Sequence, residues 1–302
     1  MSRESEIMQK EPIRHHYIPQ FILRNFACDN GKKLVWYCDK ESRIVSQRNI
    51  CEVFMERNLY RDEINYTEKP VQIEHDLSIY EREVAELIKS KFLKSRRIEL
   101  TVPEEDMLKL FFAIMSFRGI NAKRQFGDNI TKESKDFYKY YQENEDFEDF
   151  WKRNLGYLVK CRSMKEVANH PEIDPPIKLF MRRDVDWVIK KYFVVVESKE
   201  GDGFILGDCY PIAMSGDNIP MYDVFPISPD RAIILACLGV DATPRHVLTL
   251  RPGVFDIPQT SNNGNSVIIT KRLLLDEVQY INREIEKHSR KGFVFLKKEI
   301  ET

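Results

Sequence analysis

The spacing of hydrophobic residues changes along the chain from a strand-like to a helical period. Residues 33–48 combine aromatic and β-branched residues with a central polar turn, which predicts a β-hairpin. From Val71 the apolar positions recur at the three- to four-residue spacing of a helix. A further helix is predicted over 103–117, where Pro103 and a run of acidic residues precede a segment that is apolar on nearly every side. Such a helix is expected in the middle of the fold.

Strand-like patterns return in the C-terminal part. Residues 191–207 predict a second hairpin, and two apolar runs at 221–228 and 231–238 predict its neighbouring strands. A last helix is predicted over 271–289, before a short terminal strand. Residues 131–166 are helical in pattern but polar, with many aromatic residues, and indicate a possible helical insertion lobe.

These elements predict a single α+β domain over residues 1–302. Small hairpins and sheets surround a buried helix, with a helical lobe in the middle of the chain. No internal repeat or flexible linker divides the sequence.

Composition narrows the choice of partners and compartment. Lys and Arg (47) nearly balance Asp and Glu (48), so no global field attracts the protein to nucleic acid or to an anionic membrane. No apolar run is long enough for a membrane span, the N-terminus lacks a secretory signal, and a cytoplasmic location is expected. The cysteines form no CxxC pair, so we expect them to be reduced and free of zinc: Cys28, Cys38, Cys51, Cys161, Cys209 and Cys237.

Near the N-terminus the stretch HHYIPQFILRNFA concentrates polar chemistry before any core is formed. Pro19 suits the first turn of a short helix, so His16 and Tyr17 lie on the approach to its N-terminus, where backbone amides favour an anion. Gln20 and Arg24 are four residues apart and share one face. The alternative is that these residues cap and anchor the N-terminal segment.

Four charged residues elsewhere are further candidates. Glu74 and Glu81 lie nearly two turns apart on one face of the helix that begins near Val71, although most such glutamates are solvated. Arg118 follows the buried helix and requires a carboxylate partner, either in a catalytic site or in a structural ion pair. Asp208 ends an apolar strand at a turn, a position that suits a reacting carboxylate but is also common for aspartate in turns.

These motifs together resemble an uncharacterised bacterial family of domains of unknown function. The resemblance rests on HHYIPQFILRNFA, IEHDLSIYE, FRGINAKR, FILGDCYP, FPISP and VQYINREIEKHSR, in that order. Where family members typically read Ser-Asp-Asn-Pro, this chain has Gly207-Asp208-Cys209-Tyr210 before Pro211, which keeps the aspartate but changes the turn. The resemblance implies a shared site, without a known reaction, at His16, Tyr17, Pro19, Gln20, Arg24, Glu74, Glu81, Arg118 and Asp208.

The residue types favour a phosphodiester-cleaving, nuclease-like enzyme that acts on a nucleic acid or nucleotide. Proton transfer or metal binding is expected of four catalytic candidates: His16, Glu74, Glu81 and Asp208. Substrate binding is expected of Tyr17, Gln20, Arg24 and Arg118. A divalent cation such as Mg²⁺ or Mn²⁺ is a possible cofactor. All of these residues are expected to meet around one cleft.

The alternative is a non-catalytic module that binds or senses a nucleic acid or nucleotide. The basic run KSKFLKSRR at 89–97 and the aromatic residues between Phe137 and Trp151 would hold the ligand by charge and stacking. The chain contains no Walker loop, GxSxG or GxGxxG motif, which disfavours P-loop, serine-hydrolase and dinucleotide-binding chemistry.

Overall fold

A computed structural model describes most of the chain as helices and strands. The described residues are 13–119, 139–185, 191–198, 203–216, 219–237 and 250–297. Within them the helices are α1 (Gln20–Asn25), α2 (Gln72–Leu87), α3 (Val102–Arg118), α4 (Phe147–Leu158), α5 (Met164–Asn169), α6 (Pro175–Val185) and α7 (Leu275–His288). A turn of π-helix (Ile88–Phe92) extends α2. Among these helices none is long and apolar enough to cross a membrane.

The strands form four small sheets rather than one large one. They are β1 (Arg14–His16), β2 (Leu34–Asp39), β3 (Val45–Asn49), β4 (Met55–Arg57), β5 (Arg97–Leu100), β6 (Lys191–Glu197), β7 (Leu206–Gly207), β8 (Ile212–Gly216), β9 (Ile219–Ser228), β10 (Arg231–Cys237), β11 (Gln259–Thr260), β12 (Ser266–Ile269), β13 (Lys271–Arg272) and β14 (Gly292–Phe295). Their orders are β1-β4, β13-β6-β10-β9-β8, β11-β12-β5 and β3-β2-β14-β7. The α+β class is therefore confirmed.

The five-stranded sheet separates two hydrophobic cores. Successive side chains of a strand point to opposite faces, so on β6 Phe193 and Val195 enter the larger core while Val194 and Val196 enter the smaller one. The larger core contains α3, and the smaller one contains the apolar face of α7. The sheet is thus covered by helices on both faces.

Helix α3 lies at the centre of the larger core. Thr101 and Glu104 form a capping box at its start, with Pro103 in its first turn. Leu110 and Ile114 are fully buried, and the ring centroids of Phe112 and Phe225 on β9 lie 3.8 Å apart. The prediction of a central buried helix is confirmed.

The two predicted hairpins have opposite outcomes. Residues 33–48 form the expected antiparallel pair β2–β3. The hairpin predicted over 191–207 is wrong, because β6 pairs with β10 and β13 whereas β7 pairs with β14. Both edges of β6 are occupied within the central sheet, so β7 cannot join it. Gly207 instead lets β7 approach the end of α7, where an added Cβ would collide with Ser289.

The aromatic residues of the middle segment belong to the larger core. Phe150, Trp151 and Leu155 on α4 are buried with α3, and the indole nitrogen of Trp151 donates to the Phe117 carbonyl at 2.9 Å. The buried rings offer no free face for stacking on a nucleic-acid base. Residues 131–138 of the predicted lobe, including Phe137, lie outside the described part of the chain.

Candidate functional site

The opening motif begins in the short strand β1 and is fixed by backbone hydrogen bonds to the segment that contains β4. β1 pairs with β4, and the Tyr17 amide donates to the Phe54 carbonyl at 3.1 Å. Pro19 then precedes α1, as predicted, and Ile22 and Leu23 anchor that helix in the core. The polar residues just before α1 are therefore drawn into the protein interior.

His16 is buried, and both of its ring nitrogens have partners. Nε2 lies 3.0 Å from the Ile50 carbonyl oxygen, and Nδ1 lies 3.2 Å from Nε2 of the Gln20 side chain. These contacts fit the neutral tautomer that carries its proton on Nε2. Burial and, to a smaller extent, the positive charges of Arg118, Arg24 and Arg14 lower the pKa of His16 to about 4, although the hydrogen bond to the Ile50 carbonyl opposes the change. The ring stays uncharged at neutral pH.

Arg118 connects the opening motif to helix α2. Its side chain is 1% exposed. Nη1 lies 2.5 Å from a carboxylate oxygen of Glu81, Nε donates to the Tyr60 hydroxyl at 3.2 Å, and Nη2 donates to the His16 carbonyl. A charge at the end of a buried helix thus has the carboxylate partner that the sequence predicted. Beyond Gly119, the rest of the FRGINAKR motif lies outside the described residues.

Glu74 is the least satisfied member of this cluster. It lies nearly two turns before Glu81 on the same face of α2, within electrostatic reach of Arg118. Burial raises the pKa of Glu74 to about 8; Arg118 opposes the rise and Glu81 adds to it. Its Oε2 atom is buried and has no hydrogen-bond partner among the described residues, although Glu74 as a whole is partly exposed. Glu74 can therefore exchange a proton near neutral pH.

Two members of the cluster were not singled out from the sequence. His15 is fully buried, and its Nδ1 accepts from the Tyr60 amide at 2.8 Å. The two rings stack with centroids 5.6 Å apart. Tyr60 in turn contacts Arg118 through its hydroxyl. A histidine next to His16 was visible in the sequence, but Tyr60 carried no signal because it lies in an irregular segment remote from both partners.

Asp208 is held in a different environment. Its two carboxylate oxygens each accept a backbone amide at 2.7 Å, from Arg290 and Lys291, at the end of α7. Burial raises the pKa of Asp208 in spite of these hydrogen bonds. Burial raises the pKa of the Tyr17 hydroxyl, and the negative charge of Asp208 raises this pKa further. Asp208 is thus linked to the motif through Tyr17, and within the described part of the chain its side-chain hydrogen bonds go to Arg290 and Lys291 rather than to Arg118 or His16.

Two exposed arginines lie near the buried cluster. Arg24 is exposed, and its guanidinium donates to Gln20 at 2.9 Å, which in turn contacts the His16 ring. Arg14 is exposed on β1. Both arginines lie within electrostatic reach of His16. Neither forms an ion pair with a carboxylate within the described part of the chain.

No metal-binding group is formed by the described residues. No three His, Cys, Asp or Glu side chains among them lie close enough together to hold a metal ion. Glu81 is paired with Arg118, and Asp208 with two backbone amides. The structure therefore gives no support to the ligand role considered for these carboxylates.

Comparison with known proteins identifies a family and no closer relative. The family model described as "Protein of unknown function (DUF4238)" matches residues 14–299. Neither the curated proteins nor the solved structures gave a match. The matched range includes the opening motif, both glutamates, Arg118 and Asp208.

Proposed function

The chain belongs to the DUF4238 family, and from its site we propose that it is a phosphodiester-cleaving, nuclease-like enzyme in which Glu74 transfers the proton. The observation that carries the proposal is the state of Glu74, a carboxyl with a pKa of about 8 and an unpartnered oxygen beside a buried arginine. A nucleic acid or nucleotide is the substrate class.

Glu74 suits general acid–base chemistry. A group with a pKa near the working pH is present in both protonation states, so it can accept a proton from a nucleophile and return one to a leaving group. Cleavage of a phosphodiester requires both transfers: water or a hydroxyl attacks phosphorus, and the leaving oxygen is protonated. The positive charge of Arg118 stabilises the ionised form of Glu74 without removing it from this range.

Arg24 and Arg14 suit the binding of the phosphate. Both are exposed cations, and guanidinium groups donate to phosphate oxygens in a planar, two-point geometry. His16, which lies within electrostatic reach of both arginines, is neutral at pH 7 and adds no charge of its own.

The other predicted catalytic residues are positioning residues in this proposal. His16 uses both ring nitrogens to fix α1 against Ile50, and Glu81 balances the charge of Arg118. Asp208 ties the end of α7 to β7. None of the three has a free polar group comparable to the Glu74 oxygen.

Hydrolysis assays test the proposal. The wild type is expected to cleave single-stranded DNA, RNA or the minimal diester bis(p-nitrophenyl) phosphate, with Mg²⁺ or Mn²⁺ supplied in parallel reactions. Glu74→Gln keeps the shape but removes the titrating proton, so kcat is expected to fall about 100-fold or more. Glu86→Gln, an exposed glutamate on the same helix, is the matched control and should retain activity.

Substrate binding is tested separately with the arginines. Arg24→Gln is expected to raise KM or weaken nucleic-acid binding, whereas the exposed Arg82→Gln should not. A wild type that binds nucleic acid but cleaves none of these substrates would establish the non-catalytic binding module instead. Cleavage that survives Glu74→Gln would refute the role given to Glu74.

A further inference from the structure

A polar pocket lies on the opposite end of α2 from Glu74 and is independent of the phosphodiesterase proposal. It has a volume of about 360 Å³, within the range of small-molecule sites. Its walls come from the segment between the π-helical turn and the start of α3 and from the β11–β12 connection, and they include Lys91, Arg97, Glu99 and Asn265. Single π-helical turns frequently occur at functional sites.

Two of the five cations in the basic run at 89–97 are held in ion pairs. Lys91 lies 2.6 Å from a Glu104 carboxylate oxygen and also donates to the Glu99 carbonyl at 2.8 Å. Arg96 forms an ion pair with Glu197. Lys91 and Arg96 are therefore occupied, which leaves Arg97 as the cation of the pocket that has no carboxylate partner within the described part of the chain.

Two opposite charges in the pocket remain unpaired. Arg97 and Glu99 are two residues apart on β5, so both side chains project from the same exposed face. Neither forms an ion pair in the described part of the chain. Asn265 donates to one Glu99 oxygen at 2.8 Å, which fixes that carboxylate and leaves its other oxygen available.

The neutral groups of the pocket are mainly hydrogen-bond acceptors. The Ser90 hydroxyl donates to the Leu87 carbonyl, the Ser95 hydroxyl to the Arg97 carbonyl, and the Thr101 hydroxyl to Glu104. Each hydroxyl has thereby used its only proton, and although the Ser95 and Thr101 oxygens also accept a backbone amide, each oxygen retains a lone pair. A ligand must therefore bring its own donors, together with an anionic group for Arg97.

We propose that this pocket binds a small zwitterion of the α-amino acid class. Arg97 would take the ligand carboxylate, while Glu99, Asn265 and the hydroxyl oxygens would take its ammonium group. The balance of one free cation and one free anion favours such a ligand over phosphate or a polyanion.

Isothermal titration of the full chain with each standard L-α-amino acid tests the proposal. At least one amino acid is expected to bind, and its N-acetyl and carboxamide derivatives, which lack one charge each, should bind at least about tenfold more weakly. Arg97→Gln and Glu99→Gln should each weaken binding by a similar factor. Both side chains are exposed, so circular dichroism should show both variants to be folded.

Lys94→Gln is the matched control, because Lys94 is an exposed cation of the same segment that does not line the pocket. It should leave binding unchanged. The proposal is overturned if no amino acid binds, if the derivatives bind as well as their parent, or if Arg97→Gln and Glu99→Gln leave the affinity unaltered. Inorganic phosphate that binds more tightly to Glu99→Gln than to the wild type would identify a phosphate site instead.

Discussion

The Arg118 guanidinium donates to the backbone carbonyl of His16, across a separation of 102 residues. The same guanidinium pairs with Glu81 and contacts Tyr60. One buried cation therefore joins the opening motif, helix α2 and the end of helix α3.

Removal of the Arg118 charge should destabilise the protein strongly. Arg118→Met leaves Glu81 without its partner and the His16 carbonyl without its donor, so the free energy of unfolding should fall by about 3–5 kcal/mol. Urea denaturation measures the change. The exposed Arg82→Met is the control, with an expected change within about 0.5 kcal/mol. Equal stability of the two variants would show that the buried pair contributes nothing.

Glu74 should make the protein less stable as pH rises. Its pKa is raised from 4.5 to about 8 on folding, so the folded state binds more protons, and stability present below pH 4.5 is lost as pH rises towards 8. Between pH 5 and pH 8, Glu74→Gln should therefore gain about 3–4 kcal/mol of stability relative to the wild type. Chemical denaturation at both pH values, with Glu86→Gln as control, decides the point. An identical pH dependence in wild type and Glu74→Gln would contradict the raised pKa.

His16 should act in the opposite direction. Its pKa is lowered from 6.5 to about 4 on folding, so its contribution is fully present above pH 6.5 and is lost as pH falls towards 4. The loss should amount to about 3 kcal/mol over that window. His16→Gln removes the titration, so the variant should show a smaller decrease of stability with acid than the wild type. NMR titration of the ring gives an independent check, and a His16 pKa near 6.5 would refute the prediction.

Asp208 should be required for stability rather than for proton transfer. Each oxygen accepts one backbone amide, and in Asp208→Asn the side-chain NH₂ would face an amide N–H in place of one acceptor. The free energy of unfolding should fall by about 1–3 kcal/mol. The exposed Asp230→Asn serves as the control in thermal denaturation. A variant as stable as the wild type, but with altered hydrolysis kinetics, would return Asp208 to a chemical role.

Local sequence patterns determined several elements of the fold. The capping box at Thr101 and the all-round apolar character of α3 specified a buried central helix, and the β2–β3 hairpin connects strands only a few residues apart. Contacts between neighbours in sequence leave such signals. The pairing of β6 with β10, by contrast, joins segments about 40 residues apart, and no local pattern distinguishes that partner from β7.

The sequence by itself determined which residues of the site are polar and which lie on one helix face, including Glu74 with Glu81 and Gln20 with Arg24. It also required a carboxylate for Arg118. Only the tertiary structure decided that this partner is Glu81, that Tyr60 joins the cluster, and that Asp208 accepts two backbone amides near Tyr17. The physical reason is that burial and partner geometry depend on segments far apart in the chain. The same carboxyl group ionises near pH 4 in water and near pH 8 at Glu74.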